Sequence, residues 1–251
     1  MKTQSKKLSN SMIDVIILIL LYIAVASFPF SLFIKDNLTL STSLSIGLIT
    51  IYLIFLILFI KNKKNLAIEK RKFTIKNTLL FLPCILAFFS NYFYLPFVSF
   101  NFKIDSMFPL LILFTLITVL IEEILFRGLL FKQLSNLKPI LKILISAGIF
   151  GFCHINHFLS TFNPLDLITI IYTFGIGIVL GMIYEYGGSF ITIICFHFLY
   201  NFFNNVLFNC FKMTNINYPI YYLINTGISV ILIIYLLIIF VSKFRTSKKQ
   251  K

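Results

Sequence analysis

Two adjacent glutamates and an arginine stand in the run VLIEEILFRGLL (119–130), a segment that is otherwise apolar. One charged side chain at the centre of a membrane helix costs about 2.5–3.5 kcal/mol on insertion scales. Glu122 and Glu123 together cost more, because like charges repel. Arg127 follows Glu123 by four residues and so shares its helix face. A Glu123–Arg127 pair would offset part of the cost and leave Glu122 free to act. Two further pieces of polar sequence are equally localised: FGFCH ends in His154, and HFLYN begins with His197 and ends with Asn201. His197 and Asn201 are four apart, hence on one face. A buried glutamate beside histidines can take a proton from water. A neutral histidine can hold that water or a metal ion, and a His-Asn pair can donate hydrogen bonds to a developing oxyanion. Together these parts suit hydrolysis of an amide bond inside a membrane. The same spacing also permits an interhelical polar clamp with no chemistry. No serine joins them in an obvious nucleophile motif, and the H-E-x-x-H zinc motif is absent.

The elements that carry these residues are membrane helices. The chain has 251 residues, of which 59% are hydrophobic and 31 are Phe, and its mean hydropathy is +0.97. A soluble domain cannot hide that much apolar surface. Eight stretches are long enough to cross a bilayer: 13–34, 40–60, 77–97, 107–131, 140–158, 165–184, 189–209 and 219–242. The expected fold is all-α, a polytopic bundle of about eight transmembrane helices. It reads as a single membrane domain over 1–251, with the chemistry within 107–210.

The net charge of +14 reads as topology rather than as nucleic-acid binding. Counting from the N-terminus, eighteen of the 22 Lys and Arg fall before the first span, in the even connections and in the tail. Only Lys35, Lys103 and Lys212 lie in odd connections, and Arg127 is inside a span. This asymmetry places both termini in the cytoplasm of a multi-pass protein of the cell membrane. The basic start, the apolar run and Ala24-Val25-Ala26 mimic a cleavable signal peptide; the apolar stretch continues to Ile34, which is long for one. Cys84, Cys153, Cys195 and Cys210 form no C-x-x-C pair, so no disulfide framework is expected.

Depth along the helices is consistent. The sequence midpoint between Glu122 and His154 falls on Asn136-Leu137-Lys138-Pro139, where proline suits the start of a new helix. A hairpin folded there sets Glu122 and His154 level. Lys132 to Glu122 is about 15 Å along a helix, and the Gly187-Gly188 turn to His197 is about 14 Å. All three side chains then lie at one level, reached from the cytoplasmic side. Gly177 and Gly181 have the small-xxx-small spacing of close helix packing.

Glu122-Glu123-x-x-x-Arg127, Phe150-x-x-x-His154 and His197-x-x-x-Asn201, in that order on three spans, resemble the CAAX protease and bacteriocin-processing family (CPBP, also called Abi). The likeness covers roughly 107–210. It implies a glutamate-dependent intramembrane protease of eight or so helices. Glu122 then resembles the base that activates water and His154 its helper, with His197 and Asn201 as oxyanion stabilisers. Glu123 and Arg127 correspond to the supporting part of the first motif. His157 matches no family motif and is expected to pack or to support its neighbours. Members are often described as metalloproteases. Whether a divalent metal such as zinc is bound is left open; Glu122, His154 and His197 are the candidate ligands, and metal-free activation of water is an equal alternative. The expected substrate is a membrane-associated peptide or protein. Family links to bacteriocin processing and self-immunity make these the expected settings, since the Ile-, Lys-, Asn- and Phe-rich composition points away from prenylated eukaryotic substrates. The expected partners are the lipid bilayer and that substrate, with no nucleic acid and the oligomeric state open. Two other classes compete: a non-catalytic immunity or binding module, which would tolerate Glu122→Gln, and a proton-coupled transporter, which would show uptake driven by a pH gradient.

Overall fold

The computed structural model describes residues 2–34, 37–63, 81–155, 166–186, 189–214 and scattered positions from 220 to 241. Side chains are described from Ser11 onward, a few positions within these ranges excepted. His157, the Gly187-Gly188 turn, the basic connection from Lys64 to Lys76, the basic tail and much of the expected eighth span lie outside the described residues.

Helices dominate: α1 (Lys2–Ala26), the short α2 (Phe30–Phe33), α3 (Leu38–Asn62), α4 (Phe108–Glu123), α5 (Pro139–Phe152), α6 (Asp166–Tyr186) and α7 (Phe190–Asn201). Their starts follow local chemistry. Asn37 caps α3, its side chain accepting from the Leu40 amide at 2.9 Å, and Ser189 caps α7 through the Thr192 amide at 3.3 Å. Proline opens α5 at Pro139, the predicted turn position, and another stands in the first turn of α4. Apolar composition and length suffice for a membrane crossing in three helical stretches, Leu38–Asn62, Phe108–Gln133 and Phe190–Cys210. Ser11–Ala26, Pro139–Phe152 and Ile170–Tyr186 are apolar but shorter. The chain is a membrane protein, and the expected count of about eight full-length α-helical spans is not reproduced among the described residues.

Two departures from an all-α bundle have physical causes. The expected third span winds instead as a 3-10 helix over Leu82–Phe97, with proline in its first turn and Pro96 near its end. A 3-10 helix rises about 2.0 Å per residue, so these 16 residues reach about 32 Å, enough for a hydrocarbon core of about 30 Å. The chain then forms a strand. β1 (Ser99–Phe102) pairs antiparallel with β2 (Phe211–Thr214), Ser99 opposite Thr214 and Phe102 opposite Phe211. The ribbon joins the end of the 3-10 helix to the end of the α7 stretch and satisfies backbone groups that no helix continues to pair. The Lys103 amide extends it to the Cys210 carbonyl at 2.8 Å, and Phe211 sets its ring against Phe100 and Phe102, at 5.2 and 5.0 Å.

The interior divides into two apolar clusters. The first gathers Val15, Leu18, Ile19 and Tyr22 of α1 with Ile49, Tyr52 and Leu56 of α3 and with Ile117, Ile121, Leu125 and Phe126 from the α4 stretch. The second is centred on α6, with Ile176, Leu180, Ile183 and Tyr184 against Phe131, Ile143 and Ile193. Glycines let α5 and α6 close on each other. A Cβ on Gly177 would stand 3.0 Å from Ala147 Cα, and one on Gly181 would stand 3.2 Å from Ile143 Cγ2. Gly175 faces open space, so the small-residue seam runs through Gly177 and Gly181 alone of the three. One cation counted as a flanking charge lies inside: Lys142 is buried and paired with Glu185 at 2.6 Å. Lys63 pairs with Asp14 at 2.7 Å, tying the end of α3 to α1.

Candidate active site

The site forms where α4 meets α7. Glu122 and Glu123 close α4, after which the helix widens into a π-helical segment, Ile124–Leu130, carrying Arg127. Such wide turns are rare and concentrate at functional sites. Arg127 Nη1 donates to Glu123 Oε1 at 3.0 Å, and Nη2 donates to the Gly177 carbonyl at 3.1 Å. The guanidinium also lies over the Phe150 ring, 4.8 Å from its centre. It is 1% exposed and Glu123 is fully buried. A buried ion pair gains from each further donor or acceptor that is met; here Gly177 contributes a backbone carbonyl that α6 can offer because it approaches closely. Glu123 Oε2 and Arg127 Nε have no hydrogen-bond partner among the described residues.

His197 joins the pair from α7. Its Nδ1 lies 2.7 Å from Glu123 Oε1. An ionised carboxylate can only accept, so Nδ1 carries the hydrogen. That leaves Nε2 facing Glu122 Oε2 at 3.6 Å, beyond direct hydrogen-bond length. Glu123 thereby fixes the ring and its tautomer, the role a carboxylate plays behind the histidine of a hydrolytic triad.

Glu122 is not left free. Tyr22 of α1 donates its hydroxyl to Glu122 Oε1 at 2.8 Å. This residue was not legible as part of the site. It lies a hundred positions away in an apolar helix, and its only signal was a hydroxyl in a segment that otherwise lacks polar groups.

Phe150 is the hub of the second motif. Its ring meets Phe126, His154 and His197 edge-on, at 5.1, 5.2 and 5.8 Å between centres. His154 and His197 therefore flank one aromatic ring. His154 Nδ1 lies 2.9 Å from the Phe150 carbonyl, so it donates there and leaves Nε2 as the acceptor of a neutral ring. His154 is half-buried, unlike His197.

Glu122, Glu123, Arg127 and His197 thus form one contacting cluster, and His154 borders it through Phe150. Asn201 stands apart. It lies one turn beyond His197, and its side chain accepts from Asn205 Nδ2 at 3.4 Å. A second π-helical segment, Phe202–Leu207, follows it at once. Among the described residues no three His, Cys, Asp or Glu side chains gather as a ready-made ligand set. His197 Nδ1 is committed to Glu123 and His154 Nδ1 to a backbone carbonyl, so it is Nε2 of each ring that remains to meet water or a metal ion.

Residues 104–203 match the family model of Type II CAAX prenyl endopeptidase Rce1-like proteins. The match holds all three motifs and ends just past Asn201, so the resemblance read from those motifs is shown over this segment. No curated protein and no solved structure matches the chain.

Proposed function

From a membrane protein whose residues 104–203 carry the Rce1-like CAAX endopeptidase pattern, we propose a glutamate-dependent intramembrane endopeptidase. The observation that supports this most is the buried Glu122–His197–Glu123–Arg127 cluster at the junction of α4 and α7. Charge of this density inside a membrane is costly, and ionisable residues held there mark functional sites. Glu122 takes a proton from water, and the resulting hydroxide attacks the scissile carbonyl carbon. The proton then passes from Glu122 to the amide nitrogen as the C–N bond breaks, giving a carboxylic acid and an amine. His154, through its free Nε2, helps hold the water. His197 and Asn201 donate to the oxyanion: His197 through Nε2, which requires a hydrogen there as well as on Nδ1, and Asn201 through Nδ2, since the atom that accepts from Asn205 is Oδ1. No step is routed through a metal.

The substrate is a membrane-associated peptide or protein, in a setting of peptide maturation or self-immunity. The protein resides in the cell membrane with both termini in the cytoplasm, as the distribution of Lys and Arg supports.

The test compares protein N-termini in the membrane and secreted fractions of cells expressing the wild type or Glu122→Gln at matched levels. Termini that depend on Glu122 are expected. Identical sets, with any immunity phenotype intact in both strains, would replace this reading with a non-catalytic binding module.

A further inference from the structure

One buried contact at the site comes from outside the matched segment. Tyr22 belongs to α1, is 5% exposed, and donates to Glu122 Oε1 at 2.8 Å. We propose that Tyr22 is a positioning residue that fixes the Glu122 carboxylate for proton transfer, which makes the first helix a component of the active site. The proposal rests on the endopeptidase reading.

The two glutamates are held by opposite means. Glu123 is tied by a guanidinium and by His197, which commits its negative charge. Both donors meet the same oxygen, Oε1, which is thereby occupied. Glu122 is instead held by a neutral phenol. A hydroxyl fixes the position of one oxygen without cancelling the charge. With Oε1 fixed by Tyr22, Oε2 is turned toward His197 Nε2 at 3.6 Å. Without the hydroxyl the carboxylate can rotate about its last bond, and that direction is lost.

Tyr22 is itself firmly placed. It lies one turn after Leu18 within the apolar cluster that joins α1 to α3 and to the α4 stretch. The Tyr52 ring sits 5.9 Å from the Tyr22 ring. A phenol held in a packed interior gives the carboxylate a fixed reference. The same cluster offers an internal control, because the Tyr52 hydroxyl donates to the Leu18 carbonyl at 2.6 Å and has no described hydrogen bond to Glu122. Tyr22→Phe and Tyr52→Phe each delete one buried hydroxyl from one cluster, yet only the first touches the glutamate.

The experiment measures the rate at which Glu122-dependent termini appear, at equal amounts of folded protein, in wild type, Tyr22→Phe, Tyr52→Phe and Glu122→Gln. Infrared difference spectra of the purified proteins with 13C-labelled glutamate accompany it; the chain has four glutamates, so the Glu122 band is identified by its loss in Glu122→Gln. Tyr22→Phe is expected to shift that band and to slow cleavage roughly ten- to a hundredfold, the scale of a small misplacement of a reacting group. Tyr52→Phe is expected to leave both unchanged. An unshifted band, a Tyr22→Phe rate equal to wild type, or equal slowing in both tyrosine variants overturns the assignment. If Glu122→Gln is inactive while Tyr22→Phe cleaves normally, the Tyr22 assignment alone fails. If Glu122→Gln cleaves as the wild type does, the endopeptidase reading fails first and takes this one with it.

Discussion

Two of the three motif-bearing helices, α4 and α7, widen into π turns directly after Glu123 and Asn201, and the two turns are held in different ways. Ile124–Leu130 follows the glutamates and contains Arg127. Its anchor is a charge, since the guanidinium grips Glu123 and reaches across to the Gly177 carbonyl, with neutral Ser146 donating to the Phe126 carbonyl at 3.4 Å. Phe202–Leu207 follows Asn201 and is held by neutral donors. Tyr92 donates to the Phe203 carbonyl at 2.8 Å, Asn91 to the Asn204 carbonyl at 3.3 Å, and Asn204 to the Tyr200 carbonyl at 3.1 Å. The 3-10 helix Leu82–Phe97 supplies the first two of these donors. A π turn shifts backbone carbonyls from their usual partners, and inside a membrane any that are freed must be met by neighbouring helices, side chains or ordered water. The contrast teaches where the site keeps its rigidity. The first turn is bound to the reacting carboxylates, so disturbing it disturbs chemistry and folding together. The second is bound to a scaffold of hydroxyls and amides, so disturbing it affects folding first.

The sharpest way to break that contrast is to remove the cation. Arg127→Met leaves Glu123 buried beside no guanidinium, and breaking a buried pair on one side costs roughly 3–5 kcal/mol. The variant is expected to lose most of its folded population in detergent thermal melts. Neutralising both members, in Glu123→Gln with Arg127→Met, is expected to recover much of that stability, because no unpaired charge remains and the glutamine oxygen still accepts from His197 Nδ1. A double variant as unstable as the single one would show that the pair contributes shape rather than charge compensation.

A smaller effect tests the reach from α6 into the first turn. Gly177→Ala places a Cβ 3.0 Å from Ala147 Cα and 3.2 Å from Phe150 Cδ1. Overpacking of this kind costs about 1–3 kcal/mol. It also pushes away the carbonyl that Arg127 uses, and presses on the ring shared by His154 and His197. Stability and cleavage are expected to fall together. Gly175→Ala, two residues earlier and facing open space, is expected to leave both close to wild type. Equal losses in the two variants would mean that helix conformation matters at this seam and close approach does not.

The parts of this arrangement that were legible in sequence are those set by short-range spacing. Glu123 and Arg127 meet because four residues make a helical turn, and Pro139 opens α5 because proline suits a helix start. The three motifs carried the family resemblance by order alone. What was not legible depends on single long-range contacts or on small changes of helical pitch. Tyr22 is one of twelve tyrosines, and nothing in its neighbours indicates that a glutamate faces it. The shift from α to π winding moves each hydrogen bond by one residue, which leaves no trace in the apolar pattern. The strands Ser99–Phe102 and Phe211–Thr214 are too short to show alternation and lie more than a hundred residues apart. Lys142 reads as a flanking cation until Glu185 is seen beside it.

The smallest expected effect decides whether the second turn is scaffold. Tyr92→Phe deletes the hydroxyl that meets the Phe203 carbonyl and keeps the ring. That ring packs edge-on against Phe208 and Phe211 at 5.5 and 5.8 Å, so apolar contact is retained. The loss is then one hydrogen bond, about 1 kcal/mol, read as a modest drop in melting temperature with cleavage at the wild-type rate. Asn201 immediately precedes this turn, and if the proposed oxyanion role depended on the winding of Phe202–Leu207, the rate would fall much further than the stability. That outcome would erase the distinction between the two turns and make the 3-10 helix, by way of Tyr92 and Asn91, as much a part of the active site as Arg127.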